Sequence, residues 1–294
     1  MTSGNDLGKR GPSEGDGRPA AGKGGGLQGP VPLPELHEAL SSARIRAVYQ
    51  PIVRLVDSAP VAIEALARLS HPIRGTVKPD LFVPQIEDAG LALRLTESMG
   101  LVAFTDWADG RLEALGLALA LNFPLDVLLL PAALNWLDRT RVTAGIPATD
   151  IVIELTESRP VGKVSDLAIA VSRLRREGYA LAIDDVGPNL RDHRDLLELG
   201  FSSLKLDKQI VRRALQSTKA EDFVQRTTRA AHAAGMRVVA EGIATREHWD
   251  RMAALAVDEG QGFFFARPMA AGSVAAWRSG WLDGRTAARP TDGR

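Results

Sequence analysis

The stretch "IRAVYQPIVRLVDSAPVAIEALARL", Ile45 to Leu69, holds two β-type runs, Ile45–Val53 and Val61–Leu69, joined only by Arg54–Pro60. A strand that returns parallel to its predecessor needs a crossover of about a dozen residues or more, so these two runs pair antiparallel. Downstream the spacing changes. Further β-type runs fall at Gly116–Asn122, Asp150–Thr156, Tyr179–Asp185, Phe201–Asp207, Met236–Gly242 and Glu259–Phe265. Helical patterns separate most of them. Lys78–Gly90 and Leu91–Gly110 follow the second run. Val164–Gly178 follows the fourth, with Leu167, Val171 and Leu174 on one face and Gly178 as its C-cap. Ala220–Gly235 and Thr245–Val257 complete the alternation. Repeated strand–helix units define an α/β protein with a parallel barrel. With its first strand antiparallel, the expected fold is a variant (β/α)8, TIM-like barrel.

The bulk numbers bound this reading. The 294 residues and 45% hydrophobic content allow one large domain. Residues 1–33 read as a disordered tail: the first thirty carry ten glycines and three prolines, with Met1, Leu7 and Leu27 as the larger apolar residues. The domain then spans residues 34–283, and 284–294 form a C-terminal tail. Lys+Arg and Asp+Glu both number 36, so no overall charge draws the chain to a nucleic-acid polymer or a membrane. The apolar stretch Leu115–Pro131 is broken by Asn122, Pro124 and Asp126 and does not read as a membrane span. Absence of cysteine rules out disulfides, thiolate metal sites and thiol nucleophiles. A reducing, cytoplasmic location fits, and no secretory signal pattern opens the chain.

Polar residues recur where strands end: Asn122, Glu154, Asp184 with Asp185, Lys205, Glu241 and, on the last run, Gln261. In a barrel those ends meet at one mouth, where sites are built. Any one of these acids alone is best read as the polar end of a strand, and Asp207 as a helix cap. The set carries more weight. Glu64, Leu66 and Arg68 share a strand face by the period of two. Glu64 and Arg68 stand roughly 13 Å apart along the strand, too far to pair, so each needs its own partner. Carboxylates and amides without imidazole or thiolate favour Mg2+ or Mn2+. Adjacent aspartates can bridge two ions, a lysine can steady a nucleophile or phosphate, and an arginine suits phosphate oxygens. The residues therefore point to metal-dependent cleavage of a phosphate ester and leave the ester open. His193, His232 and His248 have no ligand spacing and receive no role. Trp136, Trp249 and Trp277 are expected to pack helices.

In order along the chain, "YQPI" (Tyr49–Ile52), "IEALAR" (Ile63–Arg68), "ALNFP" (Ala120–Pro124), "IELTES" (Ile153–Ser158), "AIDDVG" (Ala182–Gly187), "LKLD" (Leu204–Asp207), "VVAEGI" (Val238–Ile243) and "QGFFFARP" (Gln261–Pro268) occur. Together they resemble the EAL family of cyclic di-GMP phosphodiesterases, over about Leu36 to Trp281. The resemblance implies hydrolysis of cyclic di-GMP to linear diguanylate with two Mg2+ or Mn2+ ions. It implies Glu64, Asn122, Glu154 and Asp184 as ligands of a first ion. Asp184 would bridge to a second ion held with Asp185 and served by Glu241 as ligand or base. Lys205 would hold the nucleophilic water. Gln50, Leu66, Arg68 and Gln261 would bind the dinucleotide or support its site, and Glu157 would anchor the loop after the fifth strand.

The sequence departs from the family at two places. That loop reads "DVGPNLRDH" (Asp185–His193) where the family reads close to DFGTGYSSL, and Ala244 stands where the family carries glutamate. In the family the loop contributes to the dimer contact, so a homodimer is one implied partner. The alternative to an enzyme is a receptor that binds cyclic di-GMP without cutting it. An interaction module would need the mouth residues to be remnants. An enolase-like barrel leaves "EALAR" and "QGFFFARP" unexplained.

Overall fold

The computed structural model describes residues 1, 29–156, 164–187 and 196–287. Strand β1 (Ile45–Arg54) pairs antiparallel with β2 (Pro60–His71), as the short Arg54–Pro60 connection requires. Strands β4 (Ala118–Pro124), β5 (Ile151–Thr156), β6 (Ala180–Val186), β7 (Ser203–Leu206), β8 (Arg237–Ala240) and β9 (Glu259–Gln261) follow β2 in parallel order. β9 then pairs antiparallel with β1 and closes the barrel. A short strand β3 (Gly75–Val77) hangs on β2 outside the ring. It is too brief for a periodic signal.

The core lies mainly between the barrel wall and its helices. Ile63, Leu119, Leu121, Ile153, Leu155, Leu181, Ile183, Leu204, Leu206 and Val238 are buried on the outward face. Each such side chain contributes about 1.5–3 kcal/mol by leaving water. Helix α6 (Val164–Arg176) answers with Leu167, Ala170, Val171 and Leu174, the expected stripe, and Tyr179 N donates to Leu174 O at 3.0 Å just past Gly178. The inward face carries small and polar residues instead, with Ile52, Ala62 and Val239 plugging the bottom.

Among the described residues the helices are, in chain order, α1 (Leu33–Ser41), α2 (Val83–Asp88), α3 (Ala92–Ala108), α4 (Leu125–Leu128), α5 (Pro131–Thr143), α6, α7 (Lys208–Arg213), α8 (Thr218–Ala233), α9 (Arg246–Ala254) and α10 (Ala271–Ala287). Sequence periodicity does not single out α1, α5 or α10. Pro131 opens α5 at a position where a missing N–H costs nothing. Val31 is buried in one cluster with Leu36, Ala39 and Leu40 of α1, and the backbone of α10 runs through Ala287. Trp136 lies against Gly100, Trp249 against Phe264 and Phe265, and Trp277 stacks on Trp281, all packing roles. Among the described residues no helix is long and apolar enough to cross a membrane.

Candidate active site

Strand register alone gathers the polar set. Glu64 pairs with Ala120, two residues before Asn122, and Asn122 pairs with Glu154. Glu154 pairs with Ala182, two before Asp184, and Ala182 pairs with Ser203, two before Lys205. Lys205 pairs with Val239, two before Glu241, and Val239 with Glu259, two before Gln261. β1 completes the circuit, with Ile52 opposite Gln261 and Gln50 opposite Glu64. Side chains alternate with a period of two, so every even step stays on one face, here the barrel interior.

Asp185 has the opposite parity and would point outward in a regular strand. Instead it takes φ +55, and the β6–β7 register slips between Ile183 and Val186. This bulge re-aims a side chain at the rim. Oxygens of Asp184, Asp185 and Glu241 consequently lie within 4.8 Å of one another. That is why an apolar strand ends in two adjacent carboxylates.

Lys205 Nζ sits among four acids: Glu241 at 2.8 Å, Glu154 at 2.9 Å, Asp184 at 3.2 Å and Glu64 at 3.3 Å. Glu64 also accepts from Asn122 Nδ2 at 2.8 Å and Gln261 Nε2 at 2.7 Å. Gln50 supports this group, its Oε1 3.3 Å from Gln261 Nε2 and its Nε2 donating to Ala266 O. Burial disfavours the ammonium, yet the surrounding acids hold Lys205 well above the usual lysine range. Burial also works against ionisation of Glu64, but Lys205 and the two amides keep it below the usual carboxylate range. Burial, then Glu64, push Glu154 well up. Burial raises Asp184 against the pull of Lys205, and burial with Asp184 raises Asp185. Burial with Asp184 and Glu64 lifts Glu241, against Lys205, from 4.5 to about 8. One ammonium cannot neutralise five crowded carboxyl groups.

The donor set fits divalent ions on its own chemistry. It is all oxygen, and two of its acceptors, Asp184 Oδ1 and Gln261 Oε1, are buried without a hydrogen bond. Asp184 Oδ1 has only its 3.2 Å ion-pair approach to Lys205, without hydrogen-bond geometry.

A cavity of 960 Å³ opens above this floor, lined by Gln50, Glu64, Leu66, Asn122, Asp184, Asp185, Glu241 and Gln261. Lys205 and Glu154 lie beneath it, 1% exposed each. Arg68 is not among the lining residues. It is half-buried, donates to Ala67 O at 2.7 Å and feels the charges of Asp80 and Glu64. Glu157 and Pro188, Arg191 and Asp192 of the atypical loop lie outside the described residues. Asp207 caps α7, its Oδ1 accepting from Gln209 N at 2.8 Å. The sequence gives no hint that Lys208, Arg212 and His248 line the cavity, since they follow strand ends at irregular distances and share no ligand spacing.

Gly262 lets two backbone segments meet at the rim. A Cβ on Gly262, at φ +156, would lie 2.1 Å from Ile243 O. Ile243 N donates to Gln261 O at 3.0 Å and Phe264 N to Ile243 O at 3.0 Å, so this contact fixes Gln261. Gly262→Ala is expected to cost about 2 kcal/mol or more and to lower the melting temperature by roughly 4–8 °C, read by calorimetry. An unchanged melt would mean the contact relaxes freely.

Comparison with known proteins now places the chain. The EAL domain model matches residues 34–268, and the chain belongs to that family. It is 30% identical over 246 residues to "Cyclic di-GMP phosphodiesterase PA2567" of Pseudomonas aeruginosa, covering 83% of this chain and 42% of that one. It is 27% identical to "Oxygen sensor protein DosP" of Escherichia coli, covering 84% and 31%. The chain thus spans less than half the length of these relatives. Among solved structures, the EAL enzyme Bd1971 bound to cAMP and cyclic di-GMP superimposes with TM-score 0.78 at 26% identity, covering 83% of this chain and 67% of that one. Klebsiella pneumoniae BlrP1 in a calcium/cyclic di-GMP complex gives TM-score 0.65 at 26% identity, covering 77% and 56%.

Proposed function

We propose that this EAL domain hydrolyses cyclic di-GMP to linear diguanylate with two Mg2+ or Mn2+ ions. The ring of oxygen ligands around Lys205, with Asp184, Asp185 and Glu241 close enough to share an ion, carries the reading. Similarity to a relative named as a phosphodiesterase of that dinucleotide supports it.

Glu64, Asn122, Glu154 and Asp184 would hold one ion, and Asp184, Asp185 and Glu241 the other. Bound divalent ions would neutralise phosphate charge and acidify water. Lys205 stays protonated, so it donates and cannot act as a base. It orients the attacking oxygen and offsets charge developing in the transition state. Proton acceptance falls to Glu241 or Asp185, the acids that face both cavity and second-ion position. Gln50 and Gln261 fix Glu64. Leu66 offers an apolar contact, and Arg68 a cation near the rim for the dinucleotide. Glu157 would anchor the adjoining loop.

Purified protein with cyclic di-GMP and Mn2+ is expected to yield linear diguanylate on chromatography. Binding in Ca2+ with no cleavage in Mg2+ or Mn2+ would replace the enzyme by a receptor. No binding at all would leave neither.

Metal binding should also show in stability. Glu241 has a folded pKa of about 8 against 4.5, so it favours the folded state below pH 4.5, and that contribution is lost as pH rises toward 8. Glu154 and Asp184 act in the same direction. Glu64 changes only below this window, and Lys205 is charged in both states throughout it. Mn2+ competes with those protons. At about 100-fold excess over its dissociation constant it should add ~2.7 kcal/mol, or roughly 5–11 °C. The rise should be larger at pH 8 than at pH 6 in paired melts. Equal rises would disconnect the ion from Glu241.

A further inference from the structure

The cavity has two unlike ends. Toward α2 and α3 its wall is apolar, with Val83, Leu95 and Met99, and its charged groups there are the acids Asp80 and Glu87. Beyond Glu241 the wall turns basic, with Lys208 and Arg212 on α7 and His248 on α9. This basic arm is built into the fold. A Cβ on Gly242 would lie 2.6 Å from Lys208 Cβ, so the bare backbone after β8 is what lets α7 seat there. Lys208 is close enough to stabilise the Asp185 carboxylate. His248 is 8% exposed and its Nδ1 is 2.7 Å from Thr245 Oγ1, which leaves Nε2 as the ring nitrogen for the cavity. Arg212 is exposed and makes no ion pair among the described residues. Ala244 lines the same cavity, so position 244 brings no carboxylate to it.

We propose that Arg212, Lys208 and His248 bind the phosphate of the cyclic dinucleotide that is not being cleaved, and that alanine at position 244 keeps this arm open to an anion. The inference rests on the substrate reading above. A cyclic dinucleotide carries two phosphodiester charges. The carboxylate floor, with its ions, takes one. Lys208, Arg212 and His248 are the basic side chains among the described residues lining the cavity, so the second is matched at this arm, where a guanidinium can form charge-assisted hydrogen bonds.

Steady-state kinetics with Mn2+ test this on wild type, Arg212→Ala and Ala244→Glu. Both substituted residues are exposed, so folding is retained. For cyclic di-GMP, KM should rise about tenfold in each variant while kcat stays within about twofold, the pattern of lost uniform binding. Bis(p-nitrophenyl) phosphate, which has no second phosphate, should give one KM for all three proteins. Unchanged KM for cyclic di-GMP, or equal rises with both compounds, overturns the arm while leaving the substrate reading intact. Cleavage of the nitrophenyl ester but not of cyclic di-GMP by wild type overturns both.

Discussion

Lys205→Ala is expected to abolish turnover and to destabilise the ion-free protein at once. The ammonium is 1% exposed and meets four carboxylates between 2.8 and 3.3 Å. Removing one partner of a buried ionic group leaves uncompensated charge and costs about 3–5 kcal/mol. In a domain of this size that is roughly 6–20 °C of melting temperature. Loss of the donor that steadies nucleophile and phosphate should lower kcat by a further factor on the order of 10²–10⁴. The two effects separate on adding Mn2+, because divalent charge replaces the missing ammonium among the acids but not at the nucleophile. Stability should recover in Mn2+ while turnover does not. Recovery of both would reduce Lys205 to a structural counter-ion, and a variant as stable as wild type without metal would mean the acids share protons instead of pairing with Lys205.

Glu64→Ala should have the second largest effect. Glu64 accepts from Asn122, Gln261 and Lys205, so its loss removes one ligand and leaves Asn122 without this acceptor, while Gln261 keeps Gln50 and Lys205 keeps its three other acids. Each buried unsatisfied donor costs about 1–3 kcal/mol. Turnover should fall below detection. Glu64→Gln tests the ligand role more narrowly, since the amide keeps an oxygen toward Asn122 and removes the charge. It should bind Mn2+ more weakly in calorimetric titration, with a smaller loss of stability than the alanine variant. Wild-type rates in either variant would end the assignment of Glu64 to the first ion.

The barrel was legible because two signals are strictly local. The short Arg54–Pro60 connection forbids a crossover, and β1 and β2 are antiparallel as that demands. The acids and amides at strand ends were legible because strand period and barrel closure leave them no other place to meet. Asp185 shows the limit of this reasoning. Simple alternation points it away from the site, and only the left-handed backbone at φ +55 brings it back. The arm formed by Lys208, Arg212 and His248 was invisible in sequence, since it depends on how α7 and α9 pack against Gly242 and Ala244. Helix α5 was hidden by the apolar run before it. The cavity wall does not include Arg68, which feels the charge of Asp80 in the 3₁₀ turn Pro79–Leu81, a proximity that no sequence periodicity announces.

On the proposed function, the carboxylate rim holds a pair of divalent ions. Crystals grown with Mn2+ and measured at its absorption edge test that claim directly. Two anomalous peaks about 3.5–4 Å apart are expected, with Asp184 between them and Glu64, Asn122 and Glu154 around one. Manganese bound elsewhere, or no peak within coordinating distance of Asp184, would contradict it.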